Sequence, residues 1–217
     1  MPYYPIYLDI TNKRCIVAGG GRVGERKVER LLECGAHVVV ISRELTPLLE
    51  KMKGEGRIDH IDDDYGDACL EGAFIVIGAT NRDDVNKRIA REAERRGIMV
   101  NIVDDPARCD FILPSLVQRG DLVIALSTGG KSPALAKKLR EDMEASFGPE
   151  YGIFLEIMGE LRKAAIAGGC PSEDNKKMFE LLVKSDILRL IREKNREGVR
   201  ICIRDITGLD VDLTGIG

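Results

Sequence analysis

The chain has 217 residues, 44% hydrophobic and 32% charged, with a formal net charge of −3; this is ordinary globular composition, enough for one full domain and a smaller one. The charge excludes the bulk basic surface of nucleic-acid or anionic-membrane binding, and it is not polarised: residues 1–113 carry 17 Lys/Arg and 20 Asp/Glu, residues 114–217 carry 16 of each. No apolar run reaches the ~18–20 residues of a membrane span, and Met1-Pro2-Tyr3-Tyr4-Pro5 has neither the basic nor the apolar region of a signal peptide, so a cytoplasmic protein is expected.

In chain order, Arg14–Ala18 is a short apolar run that meets Gly19-Gly20-Gly21, the pattern of a strand entering a tight turn. Residues 22–34 show helical spacing through Val23, Val28, Leu31 and Leu32, with Gly35 as the stop, and His37–Ile41 is a second buried strand. This is a βαβ unit of roughly 30 residues. The alternation continues with a helix over 45–53, a strand over 57–61, a strand over 73–77, a charged helix Asp83–Arg96, a strand over 98–103 and a sixth strand Leu122–Leu126. Strands alternating with helices predict a doubly wound parallel sheet.

Ser132-Pro133 then opens a long helix, with Ser suited to the N-cap and Pro to the first helical position. It runs to about Phe147, where Gly148-Pro149 stops it. Residues 150–167 and 173–197 read as further helices separated by Gly168-Gly169-Cys170-Pro171. The alternation of Val199, Ile201 and Ile203 reads as a short strand or an ordered tail. The predicted organisation is a dinucleotide-binding domain over 1–113, a connecting region over 114–149 and a helical domain over 150–217.

Gly19, Gly21 and Gly24 have the G-x-G-x-x-G spacing of the Rossmann fingerprint. The first glycine permits the tight turn, the second lets backbone approach a pyrophosphate, and the third lets helix pack on strand. The helix N-terminus, with Arg22 and Val23, offers free N–H groups and a positive dipole end to the phosphates. After the second strand come Ser42, Arg43 and Glu44. Glu44 suits the ribose hydroxyls of NAD, while Ser42 and Arg43 suit the 2′-phosphate of NADP; NAD is the favoured cofactor.

Ligands in such folds bind beyond the carboxyl ends of the strands. Thr80 and Asn81 follow the fourth strand on that edge and are read as cofactor-binding. Asn101 lies within the fifth, and Asp104-Asp105-Pro106 follow it. From the residues alone Asp104 reads first as a turn or cap residue, with a general base for an oxidation that releases protons as well as hydride as the alternative. Ser127-Thr128-Gly129-Gly130-Lys131-Ser132 follow the sixth strand. Gly130-Lys131-Ser132 does not complete a Walker loop, because the position that pattern needs as glycine is Ala125. The six cysteines form no C-x-x-C pair and read as reduced thiols. With only two histidines, His37 and His60, no metal site is expected.

Several runs, in the right order over residues 3–165, resemble the precorrin-2 dehydrogenase/ferrochelatase module of siroheme synthase. They are the run from Cys15 through Gly19-Gly20-Gly21-Arg22-Val23-Gly24 to Lys27, Ala79-Thr80-Asn81, Asn101-Ile102-Val103-Asp104, Phe111-Ile112-Leu113-Pro114-Ser115, and Ser127-Thr128-Gly129-Gly130-Lys131-Ser132-Pro133. The resemblance implies a homodimer, with 114–149 as its dimerisation region. It also implies NAD-dependent oxidation of precorrin-2 to sirohydrochlorin, and some members insert Fe2+ as well. It carries catalysis onto Asp104 and makes Asn101 part of the same site. Ser127, Thr128 and Lys131 are then the expected contacts to the carboxylate-rich substrate; one form of the module has serine where Thr128 stands. The scarcity of histidine predicts strong dehydrogenase activity, weak or absent iron insertion and no tightly bound metal. The competing readings are a nucleotide-sensing Rossmann module without catalysis and a different small-molecule dehydrogenase. Against the latter, the chain lacks the Tyr-x-x-x-Lys helix of the short-chain dehydrogenases.

Overall fold

A computed structural model describes residues 3–168 and 172–210. The chain divides after Leu113 into two compact units.

The first unit is built on five parallel strands, β1 (Arg14–Ala18), β2 (His37–Ile41), β3 (Asp59–Ile61), β4 (Ile75–Gly78) and β5 (Met99–Ile102), in the order β3-β2-β1-β4-β5. The helices between them are α1 (Arg22–Glu33), α2 (Pro47–Gly54) and α3 (Asp83–Arg96). Because side chains alternate along a strand, the central strands send residues to both faces. Cys15, Val17, Val38, Val40, Ile75 and Ile77 pack with Val28 and Leu31 of α1 and Leu49 and Met52 of α2. Ile16, Ala18, Val39, Ile41, Val76, Val100 and Ile102 pack with Ile89, Ala90 and Ala93 of α3. The sheet is therefore doubly wound, as expected.

The strand register sets the shape of the ligand edge. Ala18 pairs with Ile41 on one side and Gly78 on the other, and Gly78 pairs with Ile102. The carboxyl ends of β1, β2, β4 and β5 thus lie level, and the strand order reverses between β1 and β4. That is the crevice where doubly wound sheets bind ligands.

The second unit opens with β6 (Ser115–Arg119) and β7 (Leu122–Leu126), an antiparallel pair that forms its own two-stranded sheet. This corrects the expectation of a sixth parallel strand. Only Gly120 and Asp121 separate the two strands, and Gly120 has φ +56. A two-residue link closes a hairpin, whereas a parallel crossover needs a dozen residues or more.

Five helices follow: α4 (Pro133–Ser146), α5 (Glu150–Ala167), α6 (Ser172–Lys184), α7 (Ile187–Arg192) and α8 (Arg196–Thr207). Ser132 caps α4 as expected, its hydroxyl accepting from the Leu135 N–H at 3.2 Å. The single helix expected over 173–197 is broken twice. Lys194 takes φ +56, and the Asn195 side chain caps α8 by accepting from the Gly198 N–H at 2.9 Å. The strand or tail expected from 198 is instead helix α8, because Val199 and Ile203 lie four residues apart and both enter the helical core. The linker at 169–171 and the last seven residues lie outside the described part. Among the described residues, no helix is long and apolar enough to cross a membrane.

Candidate functional site: a dinucleotide cleft

The carboxyl edge of the parallel sheet carries a cleft of about 610 Å³, within the usual range for small-molecule sites. Gly19, Gly21, Arg22 and Val23 form one wall, Ser42, Arg43 and Glu44 another, and Thr80 and Asn81 a third. Every residue expected at the cofactor is in this lining except Gly24, which lies beneath it.

The glycine loop shows why each position lacks a side chain. Gly19 sits at φ +119, and a Cβ there would come within 2.4 Å of the Ala79 carbonyl oxygen. A Cβ on Gly24 would lie 2.0 Å from the Gly19 carbonyl oxygen, so helix α1 packs onto the turn itself. Gly20 falls outside the motif spacing, yet its Cβ would fall 2.1 Å from the Glu44 carbonyl oxygen. Gly21 differs: a Cβ there meets nothing within 4 Å, and its φ of −82 suits any residue. The space at Gly21 is open toward the cleft.

Gly21 is also the N-cap of α1 and supplies no side-chain cap. The first-turn N–H groups therefore have neither intrahelical partner nor cap, which is the arrangement that receives a phosphate. This open cradle fits the pyrophosphate of a dinucleotide. Arg22, Val23 and Gly24 carry those N–H groups.

A clasp from the β2–α2 loop holds the turn in place. Ser42 Oγ donates to the Glu44 carbonyl at 2.7 Å, and His60 of β3 bonds the Ser42 carbonyl at 2.8 Å. The Thr46 N–H donates to the Gly20 carbonyl at 3.1 Å, while its hydroxyl donates to Glu25 of α1. Ser42 thus shapes the loop. Arg43 is paired with Asp64 at 2.9 Å, both side chains being more than half exposed. Asp63, Asp64 and Tyr65 also line the cleft. They follow β3 on the carboxyl edge, so their position in the sequence carried the signal.

On the far wall, the Thr80 hydroxyl bonds Asn86 Oδ1 at 2.8 Å, and Asn86 Nδ2 donates to the Thr80 carbonyl at 3.0 Å. Asn86 is buried in α3 and fixes the turn that presents Thr80 and Asn81.

Asp104 lies further along the same edge and does not line the cleft. The Val103 N–H donates to the Gly78 carbonyl at 2.9 Å, and Asp104 stands two residues beyond the end of β5. It is exposed and takes φ +62, a conformation uncommon outside glycine. Asn101 is buried, with its amide donating to the Phe111 carbonyl at 2.9 Å. Neighbouring Cys109 has its thiol pushed up by burial, and it bonds the Asp105 carbonyl at 3.1 Å. Asn101 therefore ties residues 109–111 to the sheet.

Ser127, Thr128 and Lys131 belong to the second unit. Their loop is closed on itself: the Gly129 N–H donates to Ser127 Oγ at 3.0 Å, and Thr128 Oγ1 donates to the Ser132 carbonyl at 3.1 Å. A threonine hydroxyl makes these contacts as a serine would. Among the described residues, no group of three or more His, Cys, Asp or Glu is arranged to hold a metal ion.

Residues 6–115 match the family model described as putative NAD(P)-binding, and residues 119–146 match that of the sirohaem biosynthesis protein central domain. A siroheme synthase of Methylobacillus flagellatus is 43% identical over 164 residues, which is 76% of this chain and 35% of that protein. A siroheme synthase of Aeromonas salmonicida is 38% identical over 188 residues, 87% of this chain and 40% of that protein. The chain thus spans well under half the length of these relatives. A solved structure titled as a precorrin-2 dehydrogenase shares the fold with a TM-score of 0.77 at 23% identity, covering 95% of this chain and 100% of its own. The chain belongs to the putative NAD(P)-binding family, in the form of the module that siroheme synthases carry.

Proposed function

We propose that this chain is a precorrin-2 dehydrogenase that uses NAD and yields sirohydrochlorin. The observation that carries the reading is the open cradle at Gly21, on a chain that shares its NAD(P)-binding and central segments with siroheme synthases. A nucleotide sensor accounts for the cleft but leaves Asp104 and the central segment without a use.

Bound NAD supplies the hydride acceptor. The N-terminal N–H groups of α1 hold its pyrophosphate. Arg43 is already paired with Asp64, and Glu44 and Asp63 add negative charge to the same cleft, which disfavours the 2′-phosphate of NADP and supports NAD. Oxidation of the macrocycle releases a proton with each hydride, and Asp104, exposed beyond β5, accepts it as general base. Asn101 positions the segment beside Asp104, and Ser127 and Lys131 offer a hydroxyl and an ammonium to the substrate's carboxylates, while Thr128 holds their loop in shape.

The test is turnover of precorrin-2 by purified protein with NAD and NADP in separate reactions, followed by Fe2+ under anaerobic conditions. NAD-dependent oxidation is expected, with iron insertion near the uncatalysed rate. Asp104→Ala should still bind dinucleotide and lose about 10²-fold or more of turnover. Retained turnover in that variant reduces Asp104 to a turn residue. Binding of nucleotide with no conversion in the wild type supports the sensor instead.

A further inference from the structure

Helix α1 carries three cations that do not line the dinucleotide cleft, Arg26, Lys27 and Arg30, and Arg30 is paired with Glu33. The helix buries Gly24, Val28 and Leu31, and Val28 shares an apolar cluster with Val103, the residue before Asp104. Lys27, next to Val28, is half-buried. Burial, with a smaller contribution from Arg26, holds its ammonium below the ordinary lysine value, and it lies close enough to Asp104 to feel the opposing pull of that carboxylate. Lys27 makes no hydrogen bond or ion pair among the described residues. Lys27 differs from the other lysines in burial: all of those are exposed, and Lys51, Lys53, Lys87, Lys137, Lys138 and Lys163 each also have a carboxylate within 4 Å.

A half-buried ammonium without a partner is costly, and Asp104, within its electrostatic reach, holds a positive φ of 62. The two residues lie on the α1 side of the carboxyl end of β5, and a carboxylate ligand there would satisfy the Lys27 ammonium. Asp104 does not itself satisfy Lys27, since the two form no ion pair.

We infer that Lys27 grips a carboxylate side arm of the tetrapyrrole and so sets the macrocycle over Asp104. The inference rests on the proposed substrate class. A lysine is suited to this task because its point charge and three donors follow a flexible side arm without fixing a plane. Lys27 is thus a substrate-binding residue of the first unit, distinct from Lys131 in the second.

The experiment compares wild type with Lys27→Met, which keeps the apolar stem, and with Lys27→Arg, which keeps the charge. Two readouts are taken: the Kd for uroporphyrin III, a polycarboxylate tetrapyrrole, by fluorescence, and KM and kcat for precorrin-2. NADH affinity and melting temperature report on the integrity of the fold. Lys27→Met should weaken uroporphyrin binding and raise KM by about tenfold to a hundredfold, the scale of one charge-assisted hydrogen bond. Its kcat should stay within about twofold, its NADH affinity and melting temperature should not change, and Lys27→Arg should recover part of the binding. Unchanged porphyrin affinity in Lys27→Met overturns the inference, as does a loss confined to kcat. If Lys27→Met fails to fold, Lys27→Gln answers the same question. Failure of the wild type to oxidise precorrin-2 overturns the proposed activity, and the binding comparison still decides Lys27. Absence of porphyrin binding by the wild type overturns the Lys27 inference, and precorrin-2 turnover still decides the activity.

Discussion

At the scale of single residues, the four glycines of the loop have different jobs although the sequence writes them alike. Gly19, Gly20 and Gly24 are held against backbone oxygens between 2.0 and 2.4 Å from where a Cβ would stand, and Gly21 faces open space. Substitutions should separate these roles. Gly21→Asp is expected to fold with an unchanged melting temperature and to lose NAD(H) binding, because its carboxylate enters the space of the pyrophosphate. Gly24→Ala is expected to destabilise the first unit by about 3 kcal/mol through overpacking against Gly19. Calorimetric binding and thermal melts on both variants check this. Normal NADH affinity in Gly21→Asp removes the cleft from the cofactor site. The spacing of the motif is legible in the sequence. The role of Gly20 is not, because its constraint comes from Glu44, a residue 24 positions away that only the fold brings near.

At the scale of elements, the helices of the second unit are joined by a polar contact that no local pattern announces. Glu150, at the start of α5, is 5% exposed and accepts from Arg192 of α7 at 2.5 and 3.0 Å. Burial alone pushes this carboxyl up; the Arg192 guanidinium and backbone N–H groups together outweigh it and hold Glu150 below the usual glutamate range. A carboxyl lowered in the folded state adds stability above its unfolded value. That stability disappears as the pH falls through the folded value. Glu150→Gln should therefore lower stability at neutral pH by about 1 kcal/mol, a modest figure because Arg192 is largely exposed. The difference from wild type should shrink below about pH 4. Urea unfolding at the two pH values measures it, and a pH-independent difference rules out the ion pair as its cause. The elements themselves are mostly legible from apolar spacing, and helix α3 and the cap of α4 stand where Asp83–Arg96 and Ser132-Pro133 indicate. The breaks after Lys184 and Arg192 are not legible in this way, because polar Ser185 and Asn195 also occur on a solvated helix face.

At the scale of the whole molecule, the segment 114–149 has an unusual lack of burial. No residue of β7 or α4 is buried, and Leu135 and Leu139 are 49% and 36% exposed. Apolar positions left uncovered over a hairpin and a 14-residue helix mark an interaction face. A second copy of the chain, with 114–149 as the dimerisation region, is the occupant that the family resemblance implies. Light scattering on the eluted protein should then give twice the 24.0 kDa chain mass. Leu139→Glu should yield a monomer that keeps its NADH affinity. A monomeric wild type would remove the dimerisation region from the proposal.

Local sequence is enough to specify the parallel sheet, the glycine turn and the edge on which a ligand sits. These follow from short-range rules: apolar runs of strand length, a helix start after Gly21, and the requirement that parallel strands carry helices on both faces. The Asp62-Asp63-Asp64 run belongs to that same edge and is readable in principle, since it follows a strand. Which side chains serve the ligand and which serve the chain is settled by tertiary packing alone. Ser42, Thr80 and Asn101 are polar residues beside the site, and the fold engages each with a carbonyl or amide of the protein. In sequence Lys27 is one of many helix-surface lysines, and the fold half-buries it within electrostatic reach of Asp104. The reason is that hydrogen bonding and burial depend on neighbours distant in sequence. A residue type fixes what bonds are available to it, and the packing of helices α1 and α3 on the sheet fixes which of them are already made.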